Sequence, residues 1–251
     1  MRPLPRITLA LVYGTACHAL FATGVGTMMV MMAFGMSRSL GAVPAPWSIL
    51  ANAALLAQFA LGHSALLTRR GRGVLARLAP GAAGPTLAPT TYALIASIQV
   101  FALFALWTPS GVVWWRAEGA ALAVMLALYA ASWAILGKAI LDAGVALQSG
   151  ALGWVALLRD RRPRYPDMPE RGLFRLTRQP IYVGFALTLW TVPVWTPDQL
   201  AVALALTAYC VLGPRLKERR FAALFGDRFE AYRARVPYWL PLPRPKGGAR
   251  G

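Results

Sequence analysis

Charge is what this sequence has least of. Only nine of its 251 residues are acidic and only 14% carry any charge, against about a quarter in an average soluble domain. Too little polar surface is left for a water-soluble fold of this length. The two cysteines, Cys17 and Cys210, both lie in uncharged stretches. A disulfide framework or a cysteine metal site is therefore excluded. Only two histidines are present, His18 and His63, and no metal-binding residue is assigned.

What is present is apolar. Hydrophobic residues make up 57% of the chain and the mean hydropathy is +0.51. The charges cluster and leave long stretches of the kind that cross a bilayer, which need roughly 18 or more apolar residues. Six such spans are expected, at about 7–36, 47–68, 89–107, 119–137, 180–195 and 199–213. The apolar run of the first, about 29 residues, is too long for the 7–15 of a signal peptide, so it reads as a spanning helix. The last two share the turn Thr196-Pro197-Asp198 and read as a helical hairpin, the sixth continuing into 215–225. The expected fold is all-α: a polytopic membrane protein with about six transmembrane helices and a cytoplasmic C-terminal helical extension. A single integral membrane domain spans 1–241, with a motif loop at 138–179 and a tail at 214–241. Residues 242–251 are expected to be disordered.

The basic residues orient it. The N-terminus, the 2–3 loop, the 4–5 loop and the tail hold 24 of the 26 Lys and Arg and seven of the nine acids. The other side holds Arg38, Arg116, Glu118 and Asp198. The positive-inside rule puts the basic side, and both termini, in the cytoplasm, with a bacterial inner membrane as the expected location. The net charge of +17 does not point to nucleic acid, because no aromatic RNA-binding motif or helix-turn-helix accompanies it. Basic flanks touch anionic lipid head groups instead.

Two cytoplasmic regions depart from ordinary loop composition. The 4–5 loop is too long for a connector and contains an apolar piece, 145–158, then the run Arg159-Asp-Arg-Arg-Pro-Arg-Tyr-Pro. It ends in Gly172-Leu-Phe-Arg-Leu-Thr-Arg-Gln-Pro-Ile-Tyr-Val-Gly184. Pro180 suits the first turn of the fifth helix, where a missing N–H costs nothing. Arg178 then lies just before that helix, and Gly184 admits a close backbone or ligand. The positive helix end with Arg178 can hold an anion such as a carboxylate. The tail keeps helical spacing, with Leu216, Phe221, Leu224, Phe225 and Phe229 available for one face.

The run Thr177-Arg-Gln-Pro-Ile-Tyr-Val-Gly-Phe185 resembles the Arg-His-Pro-x-Tyr-x-Gly motif of the isoprenylcysteine carboxyl methyltransferase and phospholipid methyltransferase superfamily. The second family element, a Glu-Glu pair followed by Phe-Gly and a Tyr/Val-Pro tail, is matched by Leu216-Lys-Glu-Arg-Arg-Phe-Ala-Ala-Leu-Phe-Gly226, Tyr232, Val236-Pro237 and Leu240-Pro241. Upstream, Gln58-Phe-Ala-Leu-Gly-His-Ser64, Pro89-Thr-Thr-Tyr92, Gly111-Val-Val-Trp114 and Trp190-Thr-Val-Pro193 look like the methanethiol S-methyltransferase branch. The similarity covers about 47–241. Two positions depart: Gln179 stands for the motif His, and Lys217 for the first Glu.

The resemblance implies an S-adenosylmethionine-dependent membrane methyltransferase acting on a small, methanethiol-like thiol or a lipid-like acceptor. It implies Arg178 and Glu218 as catalytic residues. Gln179, Pro180, Tyr182, Gly184, Glu218 and Arg219 would bind the cofactor, and His63 and Tyr232 the acceptor. Gln179 cannot act as a titrating base, and Lys217 brings positive charge beside a cationic cofactor. Neighbours on a helix point about 100° apart, so only one of Lys217 and Glu218 need face that cofactor. Apart from membrane lipids, the alternative partner is a larger membrane complex, in which the chain is a non-catalytic subunit. His18 reads as an interhelical hydrogen-bonded residue, and the methionines at 28–36 as packing against lipid or a neighbouring helix.

Overall fold

The structure is a computed structural model and describes residues 3–240; the expected disordered tail, 242–251, lies outside the described residues. Nine helices concern the site: α1 (Pro3–Ala33), α2 (Trp47–Leu66), α3 (Arg69–Leu78), α4 (Gly84–Ala105), α5 (Gly119–Ala143), α6 (Ala151–Leu158), α7 (Pro180–Trp190), α8 (Pro197–Phe225) and α9 (Asp227–Arg235). Two-residue strands β1 (Trp115–Arg116) and β2 (Val194–Trp195) pair antiparallel, Trp115 opposite Trp195. The protein is thus an all-α polytopic membrane protein. Helices α1, α2, α5, α8 and the one reaching from Gly81 to Ala105 are long and apolar enough to cross a bilayer. Their outward residues fit lipid: Ile49 is 73% exposed and Leu61 71%.

The sixth crossing is built differently from the expected helix over 180–195. Helix α7 has 11 residues, about 16 Å at 1.5 Å per residue, half the hydrocarbon thickness of about 30 Å. The chain then continues extended, with Val192, Val194 and Thr196 buried. Non-helical backbone is tolerated at membrane depth only where protein covers it and pairs it. Both conditions hold: the N–H groups of Trp114 and Ala117 donate to the carbonyls of Trp195 and Pro193. The turn is closed by Thr196, which caps α8 by accepting from the Gln199 N–H at 2.9 Å. Asp198 beside it is locked by Trp107 Nε1 (2.9 Å) and by the Ser110 N–H and hydroxyl.

The core runs through all six crossings. Met28, Met32 and Met36 come from α1 and the turn after it, and meet Phe59, Leu103, Phe104, Tyr129, Leu189, Val202 and Leu206. The four-residue spacing of Met28 and Met32 puts both on one face of α1, and the turn folds Met36 in beside them. Helix α6 packs between α1 and α4. Its Trp154 Nε1 donates to His18 Nε2 at 3.1 Å, the interhelical role expected of that histidine. Helix α8 runs through Pro214 and leaves the bundle, and Gly226 (φ +48°) turns the chain into α9. A non-glycine residue is strained at that φ.

Candidate active site

The site is assembled where the C-terminal tail folds back over the start of α7. The Arg178 N–H donates to the Pro237 carbonyl at 3.0 Å, and the Thr177 hydroxyl to that of Tyr238 at 3.2 Å. Arg178 is buried. Its Nε donates to Glu218 Oε1 at 2.7 Å and its Nη2 to Oε2 at 3.3 Å. Its Nη1 donates to the carbonyls of Val236 (2.6 Å) and Arg233 (3.1 Å). A two-pronged guanidinium–carboxylate pair is strong and directional. Here it clamps α7, α8 and the tail together, and it leaves Arg178 little capacity for a ligand.

Gln179 extends the chain of bonds. Its Nε2 donates to Glu218 Oε1 at 2.9 Å, and its Oε1 accepts from Lys217 Nζ at 3.2 Å. A glutamine can do both at once because it carries a donor and an acceptor. The Lys217 ammonium lies 5.5 Å from the Phe174 ring centroid and 5.2 Å from that of Phe221. Lys217 and Glu218 therefore face one pocket together, although helical geometry required only one of them to do so. The flexible stem of the lysine reaches round the helix.

The other motif residues are dispersed around this pocket. Pro180 opens α7 and is buried. Gly184 lies against α5: a Cβ there would stand 2.9 Å from Leu136 Cα and 3.0 Å from its N. The close neighbour is thus a backbone. Arg219 is exposed and does not line the pocket. Tyr232 does line it, but its hydroxyl donates to the Phe174 carbonyl at 2.7 Å, and burial raises its pKa above the usual phenol value. Phe174, Phe221, Phe229 and Pro169 complete the lining. Sequence reasoning did not assign them to the site. Phe174 sits inside the motif loop and Phe221 three residues after Glu218, so proximity to the motifs was the available signal.

His63 belongs to a second cluster, on the α8 face that carries Tyr209. It follows a π-helical turn at Gln58–Gly62, and such turns recur at functional sites. That turn is held by Gln58 and Gln99, each donating its Nε2 to the other's carbonyl, at 3.0 and 2.8 Å. His63 Nε2 lies 2.5 Å from the Tyr92 hydroxyl; Phe59 lies tilted against the imidazole and Tyr209 meets it edge-on. Tyr209 also meets Ser64 at 3.4 Å. His63 Nδ1 is buried with no hydrogen-bond partner among the described residues. Tyr182, from the α7 motif, lies within electrostatic range of Tyr209 and Arg220 and does not line the first pocket. Tyr209 carried no signal in the sequence.

The donor set of the first pocket fits S-adenosylmethionine. Glu218 suits an ammonium or ribose hydroxyls, the Lys217 ammonium suits a carboxylate, and the ring faces of Phe174 and Phe221 already hold a cation. The free space among these residues is about 10 Å³, room for about one water.

Fold and site together define a polytopic helical membrane protein with a polar pocket at one end of its bundle. Comparison with known proteins sharpens this. The chain is 26% identical over 236 residues to a methanethiol S-methyltransferase of a Pseudomonas species, covering 92% of this chain and 89% of that protein. It is 29% identical over 198 residues to methanethiol S-methyltransferase 1 of Bradyrhizobium diazoefficiens, covering 78% and 68%. It is 26% identical over 247 residues to that of Mycobacterium tuberculosis, covering 94% and 97%. The resemblance read from the motifs is borne out: the chain is similar to methanethiol S-methyltransferases over most of its length. No family model matches it, and no solved structure matches it.

Proposed function

We propose that this chain is a single-domain, S-adenosylmethionine-dependent methyltransferase of a bacterial inner membrane, acting on a small thiol of the methanethiol kind. The observation that carries the reading is similarity to relatives named methanethiol S-methyltransferase along 78–94% of the chain. The pocket supports it, because its charges and rings complement the cofactor's. When bound, the cofactor supplies a methyl carbon made electrophilic by its sulfonium. Glu218 takes the ammonium or ribose, and Lys217 swings to the carboxylate. Phe174 and Phe221 offer their faces to positive charge. Arg178 and Gln179 position Glu218, and the surrounding protein excludes water and aligns the reactants.

The Lys217 ammonium on two rings specifically favours a second reading, a non-catalytic subunit of a membrane complex. Calorimetry with S-adenosylmethionine on the purified protein in detergent separates the two. Binding and transfer to methanethiol are expected. Absence of binding both in the wild type and in the double variant Gln179→His, Lys217→Glu would defeat the methyltransferase reading. The proposed orientation places both termini in the cytoplasm. Reporter fusions at Gly41 and Thr196 should then read external, and those at Gly73 and Gly251 internal; an external signal at Gly251 would defeat it.

A further inference from the structure

The pocket around Arg178 and Glu218 does not explain how a thiol loses its proton, and this inference rests on the methyl-transfer reading above. The second cluster has the unspent capacity. Tyr92 O–H is a stronger acid than an imidazole N–H, so the phenol donates to His63 Nε2 and Nδ1 carries the ring proton. Histidine tautomers are set by such partners. The outcome is a buried N–H donor, His63 Nδ1, with nothing to donate to among the described residues. A buried polar atom left unpaired costs free energy, and a ligand that accepts from it recovers that cost.

The surroundings specify the ligand's charge. Among the described residues, the ionisable groups that touch His63 are Tyr92 from α4 and Tyr209 from α8, and Tyr182 from α7 and Cys210 and Arg220 from α8 lie within electrostatic range of those two tyrosines. Within this described set there is no carboxylate, and the one formal charge is the Arg220 guanidinium. Its Nη1 donates to the Leu67 carbonyl at 3.0 Å, which anchors it at the end of α2, four residues beyond His63. Tyr92, Tyr182 and Tyr209 all feel its charge. The hydroxyls of Tyr209 and Ser64 add further donors beside the apolar rings of Phe59, Tyr92 and Tyr209. A cluster of donors and one cation, with no acid, recognises a small anion carrying an apolar substituent.

We propose that His63, Tyr209, Ser64 and Arg220 form the acceptor subsite and bind the thiol as its thiolate. On binding, the S–H bond breaks, its electron pair stays on sulfur and the proton leaves to bulk water. The sulfur then forms a bond to the methyl carbon of a sulfonium donor while the donor's S–CH3 bond breaks and returns its pair to the donor's sulfur. The product is a neutral thioether, which no longer attracts Arg220 or the His63 N–H and leaves for the bilayer.

Carbon-13-labelled methanethiol, bound to the full chain in nanodiscs without donor, tests the subsite, because its methyl shift reports ionisation. In wild type the bound thiol should ionise at least one pH unit below the free thiol, about a tenfold gain in thiolate at a given pH. His63→Phe should abolish most of that shift, and His63→Gln, which keeps an N–H donor, should retain part of it. Nitrogen-15 spectra of labelled histidine should show a protonated Nδ1. In turnover, His63→Phe should move the pH dependence of kcat/KM toward the free thiol, with cofactor affinity by calorimetry unchanged. Should His63→Phe fold poorly, Tyr209→Phe with Ser64→Ala removes the neighbouring donors and should halve the shift or more. Methanethiol bound in its protonated form, an unprotonated Nδ1, or the same ionisation in wild type and His63→Phe would overturn the proposal. Because the thiol is titrated without donor, these outcomes stand apart from failure of the methyltransferase reading, which shows as absent S-adenosylmethionine binding.

Discussion

Two polar clusters flank α8, and they differ in how fully their atoms are used. Around Glu218, four polar side chains form one chain of bonds, Lys217 to Gln179 to Glu218 to Arg178, fixed to the backbone of the tail. Around His63, aromatic rings pack closely and one donor has no partner among the described residues. The first cluster is a clamp whose members hold one another in place. The second is a cup with a spare hydrogen bond. Burial alone would rank the first as the more functional. The unspent capacity lies in the second, since a satisfied network gains little from a ligand while an unsatisfied one gains a full hydrogen bond.

The largest test of this contrast is Glu218→Ala. It leaves the Arg178 guanidinium buried without its carboxylate, and breaking a buried pair costs about 3–5 kcal/mol. A large drop in unfolding temperature in detergent is expected, whereas His63→Phe should unfold close to wild type. Equal losses would erase the distinction between clamp and cup.

Gly184→Val comes next. Its side chain must displace the Leu136 backbone, separating α7 from α5 and shifting the clamp they carry. Overpacking of this kind costs about 1–3 kcal/mol. Thermal unfolding should show it, with S-adenosylmethionine affinity falling in parallel.

Lys217→Ala is expected to matter less for stability and more for binding. The lost cation–ring contacts are worth about 1 kcal/mol or less. Removing the ammonium takes away the proposed partner of the cofactor's carboxylate, so calorimetry should show weaker cofactor binding. Tighter binding would instead show that the lysine only fills the pocket.

The smallest effect is expected at the rim. Arg228 bonds to Asp167 at 2.7 and 2.9 Å and, with the Met168 N–H, holds that carboxyl below the usual aspartate range. A depressed folded-state pKa adds stability that is complete above the unfolded pKa and lost as pH falls through the folded one. Both partners are exposed, at 48% and 65%, where ion pairs are worth little. Arg228→Ala should therefore leave the unfolding temperature at pH 7 unchanged, and any difference should vanish in strong acid.

Much of this molecule was legible in advance, for identifiable reasons. Long uncharged runs mark α1, α2, α4, α5 and α8 because hydrocarbon admits no unpaired backbone and few charges. The Pro180 start of α7 followed from proline's fixed φ and missing N–H. The end of α7 was not legible. Residues 191–195 are as apolar as a helix, and only their pairing with 114–117 and their burial under α1 and α8 make them extended. His18 was readable as an interhelical donor–acceptor site, but its partner Trp154 comes from a helix inside a loop.

By itself, the sequence determined an all-α membrane bundle, its span order, and the two motifs that resemble those of methyltransferases, because composition and local periodicity are one-dimensional quantities. Only the tertiary structure decided which polar atoms meet. It spent Arg178 on Glu218 and the tail, turned Lys217 inward over two rings, sent Arg219 outward, and left His63 Nδ1 without a partner among the described residues. Hydrogen bonds act over about 3 Å, and residues some 40 to 150 positions apart come within that distance only once the helices have packed.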